Sequence, residues 1–476
     1  MTTDAAPTAG VPPEVRIDGR FLWSISIVAA MGGLLFGYDW VVIGGAKPFF
    51  EAYFGLVEEA ARAWANSCAL VGCLAGAMTA GTLADRFGRK RPLIASALLF
   101  VATSIGTGLA GTFNVFWVWR MLGGVAIGLA SGLSPMYIAE VAPAAVRGRL
   151  VAVNQLTIVI GVLLAQVANW AIGDLVGGGL PADATSETIR AHWNGTHGWR
   201  WMFAVTAVPA ALFFGLALLV PESPRWLAVR GRADAARAVL RRLGGDAYAS
   251  ATLAEIDAAE REIRSTGLGD LLRPSVLRIV GLGVALAVFQ QWCGINVIFN
   301  YAEEVFKAAG YGMDAFLFNV AVTGAVMLAF TFVALGTVDR VGRRPLLLVG
   351  SASLALTYLG LGACYHTRTT GLVPLTLVMT AIACYSFSLA PVVWVVIAEI
   401  FPNRIRGAAM SVAVSALWIG CFTLTYSFPF LHRGLGAAGT FWLYAGICVA
   451  GFLFVWRRLP ETKGKSLEQI EVDLTR

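Results

Sequence analysis

Asp39 is an acid in an apolar place. It closes the run Gly32-Gly33-Leu34-Leu35-Phe36-Gly37-Tyr38-Asp39, and the flanking stretches Phe21–Met31 and Val41–Gly45 carry no charge. A carboxylate at such depth costs about 2.5–3.5 kcal/mol on insertion scales, so its presence marks an ion or substrate path. A second set of charges recurs in two copies. Asp85-Arg86-Phe87-Gly88-Arg89-Lys90-Arg91-Pro92 is echoed by Asp339-Arg340-Val341-Gly342-Arg343-Arg344-Pro345. Ile138-Ala139-Glu140, with Pro143 and Arg147-Gly148, is echoed by Ile397-Ala398-Glu399, with Pro402 and Arg406-Gly407. Pro221-Glu222-Ser223 is echoed by Pro460-Glu461-Thr462. Each copy sets a carboxylate at a helix end with an arginine a few residues on, and the guanidinium fork matches a carboxylate. Bundled together, Asp85, Arg89, Glu140, Arg147, Asp339, Arg343, Glu399 and Arg406 would latch two halves of the molecule on one face. Glu222 and Glu461 join the same gate.

The elements that carry these residues cross a membrane. The chain has 476 residues, of which 57% are hydrophobic and 14% charged, against about 25% charged in a soluble domain. Apolar runs of about 20 residues, long enough for a bilayer, recur throughout. Twelve spans are expected at 21–45, 62–84, 93–112, 115–140, 150–172, 201–220, 276–302, 313–338, 345–365, 373–399, 408–430 and 438–457. Of the 36 Lys and Arg, seven fall in odd-numbered loops: Lys47, Arg62, Arg190, Arg200, Lys307, Arg368 and Arg433. Arg120 lies within span four, and the other 28 lie in even-numbered loops and tails. Basic loops stay cytoplasmic, so both termini are expected there.

The fold class is therefore an all-α membrane protein of two repeated six-helix bundles. The expected divisions are a cytoplasmic tail 1–20, a first bundle 21–221, a cytoplasmic helical linker 222–275, a second bundle 276–458 and a tail 459–476. The linker stretches Ala233–Leu243 and Ala251–Ile263 read as amphipathic surface helices. Duplicated six-helix halves are the mark of a transporter whose substrate site lies near the midplane between them.

Other classes are excluded. The net charge of +7 reports membrane topology and is no sign of nucleic acid. Cys68, Cys73, Cys293, Cys364, Cys384, Cys421 and Cys448 lie mostly within apolar runs and show no metal spacing, which makes them packing residues. Residues 1–20 lack the layout of a cleaved signal peptide. With no nucleophile–base pair and no cofactor loop, an enzyme is not expected, nor is any cofactor or metal. The expected partners are a small molecule, a proton and the lipid bilayer, with the protein acting as a monomer.

The motifs place the chain in a family. Gly81–Arg91, Pro135-Met136-Tyr137-Ile138-Ala139-Glu140, Asn154-Gln155, Pro221-Glu222-Ser223-Pro224-Arg225-Trp226, Gln290-Gln291 with Gly294-Ile295-Asn296, and Pro460-Glu461-Thr462-Lys463-Gly464 resemble the sugar porter branch of the major facilitator superfamily. The likeness runs over nearly the whole chain and is strongest to bacterial xylose-type proton–sugar symporters of the inner membrane. It implies a sugar site at Gln155, Gln290, Gln291, Asn296, Asn300, Trp394, Trp418 and Phe36. Amides suit hydroxyls because they donate and accept at once, and aromatic faces suit the C–H face of a sugar ring. Gly294 suggests an irregular turn where a helix lines a cavity.

The resemblance also implies that Asp39 carries the proton and that Arg120 is its partner. A nearby guanidinium favours an ionised carboxylate and dry surroundings a protonated one, so a change in their separation would load and release a proton. A facilitator in which the Asp39–Arg120 pair is structural, and a membrane sugar sensor, remain as alternatives. Val162, Met327 and Leu417 stand where xylose-type symporters have amides, Asn300 where a tyrosine is usual, and Thr206 where they have a carboxylate. Fewer hydrogen bonds from the second half are expected, which leaves pentoses, hexoses and cyclic polyols open.

Overall fold

The computed structural model describes residues 17–175, 180, 184–263, 274–401 and 406–463, and among them there is no strand. Among the described residues, eleven helices are long and apolar enough to cross a membrane. One of them, Arg406–Arg458, is a double crossing divided at Gly436, whose φ of 68° breaks the helix. It holds spans eleven and twelve, so twelve crossings result.

Spans one to six are Gly19–Phe54, Glu59–Phe87, Lys90–Gly108, Phe113–Val141, Ala144–Asp174 and Asn194–Ala217. Large apolar side chains such as Val208, Leu212, Phe332 and Leu356 are exposed, as surfaces that meet lipid must be. Span one opens with an Asp18 side chain that accepts the Phe21 N–H at 3.0 Å, a standard N-cap. It closes at Gly55 in the left-handed conformation. Its 36 residues reach about 54 Å at 1.5 Å per residue, well beyond the hydrocarbon core. This corrects the expected end at residue 45: Lys47, assigned to a loop, sits on the helix, which runs through Pro48 to Gly55 with Lys47 and Glu51 buried.

The linker forms helices Pro224–Val229 and Ala233–Ile263, the second kinked at Gly244 and Gly245. It is fastened to the first six spans. Trp226 and Arg230 donate to the Asp85 carbonyl at 2.9 and 2.6 Å, the Asp18 N–H donates to Leu243, and Arg242 stacks 3.9 Å over Phe21.

Spans seven to ten are Pro274–Trp292 continued by Ile295–Asn300, Met313–Val341, Arg343–His366, and Leu372–Phe387 continued by Leu389–Ile400. Span seven breaks at Gly294, with φ 89°, as Gly294 suggested. It breaks again at Tyr301 before the short helix Ala302–Ala308. Span ten breaks at Ser388. All three breaks are buried. One face of the molecule carries Asp85, Glu140, Asp339, Glu399 and the ends of the described chain near Asp18 and Lys463; the opposite, far face carries Lys47 and the helix Ala302–Ala308. His432, expected in a loop, belongs to the helix Arg406–Arg458.

Candidate functional site

Asp39 and Arg120 meet inside the first half. Arg120 Nη1 donates to Asp39 Oδ1 at 2.8 Å, and Nη2 donates to the Asp39 carbonyl at 3.3 Å. Both residues are buried, at 5% and 3% exposure, and the guanidinium carbon lies 5.1 Å from the Phe203 ring centre. The pair is incomplete in an informative way. Asp39 Oδ2 and Arg120 Nε are buried and have no hydrogen-bond partner among the described residues. Arg120 also borders a narrow space lined by Trp40, Asn66, Cys73 and Asn300, so the pair is not sealed on every side. One oxygen held and one free is a geometry that can exchange a proton.

The second group of residues gathers between the halves. Phe36, Trp40 and Trp418 form a triangle of rings with centres 5.8–6.2 Å apart. Trp418 is buried, and its indole N–H has no partner. Asn300 Oδ1 is likewise buried and unpaired. Gln291 Nε2 donates to Gln290 Oε1 at 3.3 Å, and Asn296 Nδ2 donates to Gln291 Oε1 at 2.6 Å. Gln290 Nε2 in turn donates to the Leu389 and Ala390 carbonyls at 3.0 and 3.1 Å. Gln290 thus braces span ten just past its break, a structural job the sequence reading did not assign to it. Gln155 and Trp394 are half-buried, and Gln155 makes no side-chain hydrogen bond among the described residues.

Sequence reasoning missed Trp40 and Gln166. Trp40 lies one helical turn after Phe36, a spacing that could have been noticed. Gln166 is eleven residues beyond Gln155, three helical turns and so the same face. Its amide donates to Thr323 Oγ1 across the halves at 3.1 Å. Thr206, standing where a carboxylate was expected in relatives, is fully buried, with its hydroxyl beside that of Tyr38.

The paired acid–base motifs repeat atom for atom. In the first half, Arg89 Nε and Nη2 donate to Glu140 Oε1 at 3.0 and 2.8 Å, and Ser223 donates to Glu140 Oε2. In the second, Arg343 Nε and Nη2 donate to Glu399 Oε1 at 3.2 and 2.9 Å, and Thr462 donates to Glu399 Oε2. Glu222 accepts the backbone N–H groups of Arg89 and Lys90 at 2.8 and 3.1 Å. Glu461 accepts those of Arg343 and Arg344 at 3.0 and 3.1 Å. Each glutamate therefore caps a helix N-terminus, where exposed amides favour a negative charge. A Cβ at Gly88 or Gly342, both at positive φ, would press on these carboxylates.

These pairs lie within one half each, which differs from the latch expected across the halves. The reason is reach: the arginines are already held by acids of their own bundle. Asp85 is largely exposed, 3.6 Å from Arg89, and Arg147 is exposed. The side chains of Asp339 and Arg406 lie outside the described residues.

Interrupted helices around a buried polar cleft, in two halves with matching charged ends, define a multi-pass integral membrane transporter. The chain matches the family model for "Sugar (and other) transporter" over residues 25–474, and it belongs to that family. It is 39% identical to the D-xylose-proton symporter of Escherichia coli K12, over 96% of each chain. It is 35% identical to the arabinose-proton symporter of Bacillus subtilis, over 95% of this chain and 94% of that one. Among solved structures it resembles the E. coli xylose transporter XylE in a partially occluded inward-open conformation, with a TM-score of 0.81 and 35% identity, over 94% of this chain and all of that one. These relatives are transporters, not enzymes.

Proposed function

We propose that the protein is a proton-coupled monosaccharide importer, for a pentose or hexose, working by alternating access. The observation that carries this is the buried Asp39–Arg120 pair with one carboxylate oxygen unpaired, close to a cradle of unsatisfied amide and indole groups. Proton and sugar symport are named for the two relatives above, which supports carrying both to this chain. In this reading Asp39 takes a proton from the far side, and Arg120 holds the carboxylate until the halves rearrange. Gln155, Gln291, Asn296 and Asn300 bind sugar hydroxyls, and Phe36, Trp394 and Trp418 cover a ring face. Gln290 holds span ten in place for them.

The moving bodies are residues 21–221 and 276–458, joined by the linker 222–275, with 1–20 and 459–476 as tails. The Arg89–Glu140 and Arg343–Glu399 sets, with Asp85, Arg147, Glu222, Asp339, Arg406 and Glu461, form the gate on the terminal face. In this reading that face lies in the cytoplasm of an inner-membrane protein and the far face outside, which the concentration of basic residues on the terminal face supports. The protein functions as a monomer. No cofactor or nucleic acid is involved.

The test is uptake of a labelled sugar into vesicles under an imposed proton gradient, with pentoses, hexoses and polyols as competitors. Accumulation above the external concentration that collapses when the gradient is discharged supports symport. Equilibration without accumulation gives the facilitator reading, and binding without uptake gives the sensor.

A further inference from the structure

The far face holds a charge cluster that the symport reading does not use. Lys47 of span one is 2% exposed. Its ammonium lies 3.2 Å from Glu303 and 2.5 Å from Glu304, on the helix Ala302–Ala308 of the other half, and 3.5 Å from Glu51 one turn on. Arg62 of span two approaches Glu51 at 3.4 Å, and Asn66 donates to Glu51 at 3.3 Å. Three carboxylates thus share two cations; Lys47 and Glu51 are buried, while the Glu304 side chain is 26% exposed. One oxygen, Glu304 Oε2, is buried with no hydrogen-bond partner among the described residues.

The other groups facing Glu304 do not cancel its charge. Tyr365 of span nine and His432 of the helix Arg406–Arg458 line a small space with it, and the Tyr365 hydroxyl is occupied by the Val305 carbonyl. Tyr301 lies under the Lys47 ammonium, 5.7 Å from ring centre to nitrogen. The cluster exists only while the halves touch here. At Gly44, a Cβ would overlap the Phe299 carbonyl, so spans one and seven are in backbone contact beside it.

We infer that this cluster is a second proton-binding site, at which Glu304 takes up a proton from the far-side solution as the halves close and returns it as they part. Packed like charges favour protonation of one member, and separation removes Glu51 and Lys47 while hydrating Glu304. Burial holds the Glu304 carboxyl up at about 7, with Lys47 opposing and Glu303 and Glu51 adding to the rise. A group whose proton affinity is raised in the closed state stabilises that state below its ordinary carboxylate range. The advantage is lost as pH rises through about 7. Acid on the far side therefore favours closure. This site rests on the alternating-access reading and is independent of proton transfer through Asp39.

The experiment uses the full-length protein in lipid, with Asp39→Asn to remove the central site. Spin labels are placed on cysteines at Val57 and Thr369, two exposed far-face positions. Cys364 is replaced by Ser, and the six buried cysteines are kept. Pulsed dipolar spectroscopy reads the distance from pH 5.5 to 8.5. The short-distance population rises on acidification with a midpoint near 7. Glu304→Gln, isosteric and always neutral, makes it independent of pH. Two populations with no pH dependence, or an unchanged midpoint in Glu304→Gln, overturn the proton site alone. A single distance under every condition, sugar included, overturns alternating access itself. Should Glu304→Gln not fold, Glu303→Gln decides: removing a like charge lowers the midpoint, and an unchanged midpoint overturns the site.

Discussion

Replacing Asp39 by Asn removes one charge and almost no volume. Losing one member of a buried ion pair costs about 3–5 kcal/mol, because the other charge is left uncompensated. Here much of the surroundings survives. An Asn carbonyl can still accept from Arg120 Nη1, now 2.8 Å from Asp39 Oδ1; the backbone carbonyl still accepts from Nη2; and the Phe203 ring still faces the guanidinium. The lower end of that range is expected, so the variant folds with reduced thermal stability. The functional loss is larger. One proton moved per sugar across a two-unit pH difference supplies about 2.7 kcal/mol, enough for roughly 100-fold accumulation. Asp39→Asn in proteoliposomes should bring that ratio to one, while sugar binding and counterflow exchange persist. Concentrative uptake undiminished in a folded Asp39→Asn protein would refute the reasoning.

Three further outcomes are expected. Gln291→Ala strands Gln290 Oε1, leaves Asn296 Nδ2 only its weak bond to Cys421 Sγ and takes a partner from the sugar; at about 1–3 kcal/mol for an unmade buried bond, Kd should rise roughly 5- to 150-fold, with a similar rise for Gln155→Ala. Isotherms that match wild type in both would remove these residues from the site. Glu140→Gln and Glu399→Gln keep shape but halve the charge in the Arg89 and Arg343 pairs; cysteine accessibility at the terminal face should increase, and unchanged labelling would show that these motifs do not gate. Gly44→Ala sets a methyl against the Phe299 carbonyl, so it should prop the far face open, raising far-side labelling and slowing net uptake; a wild-type transport rate would show that closure does not need this contact.

Much of the fold was legible because a bilayer imposes a length rule. Apolar runs of about 20 residues must become helices there, and the observed spans fall on the expected ones. The exception is span one, which continues to Phe54. Its polar tail, Lys47 and Glu51, resembles a loop in hydropathy, and only burial against the other half makes it a helix end. The breaks in span ten and after Asn300 were not legible: Ser388 and Tyr301 are not helix breakers by type, whereas Gly294 is.

Hydropathy, charge and repetition along the chain were enough to read a duplicated membrane transporter with an isolated acid at Asp39, an isolated base at Arg120, and charges at equivalent helix ends in both halves. Those conclusions rest on local hydropathy, on charge counting and on motifs that recur along the chain. Which side chains meet was settled by packing. It joined Arg120 to Asp39 by distance rather than by likeness, closed Arg89 and Arg343 within their own halves, and assigned Gln290 to bracing span ten. It also brought Lys47 to Glu303 and Glu304, more than 250 positions away. Such pairings follow from which helix faces pack together, and a charge buried between two halves takes its partner from the opposing surface, which no stretch of local sequence contains.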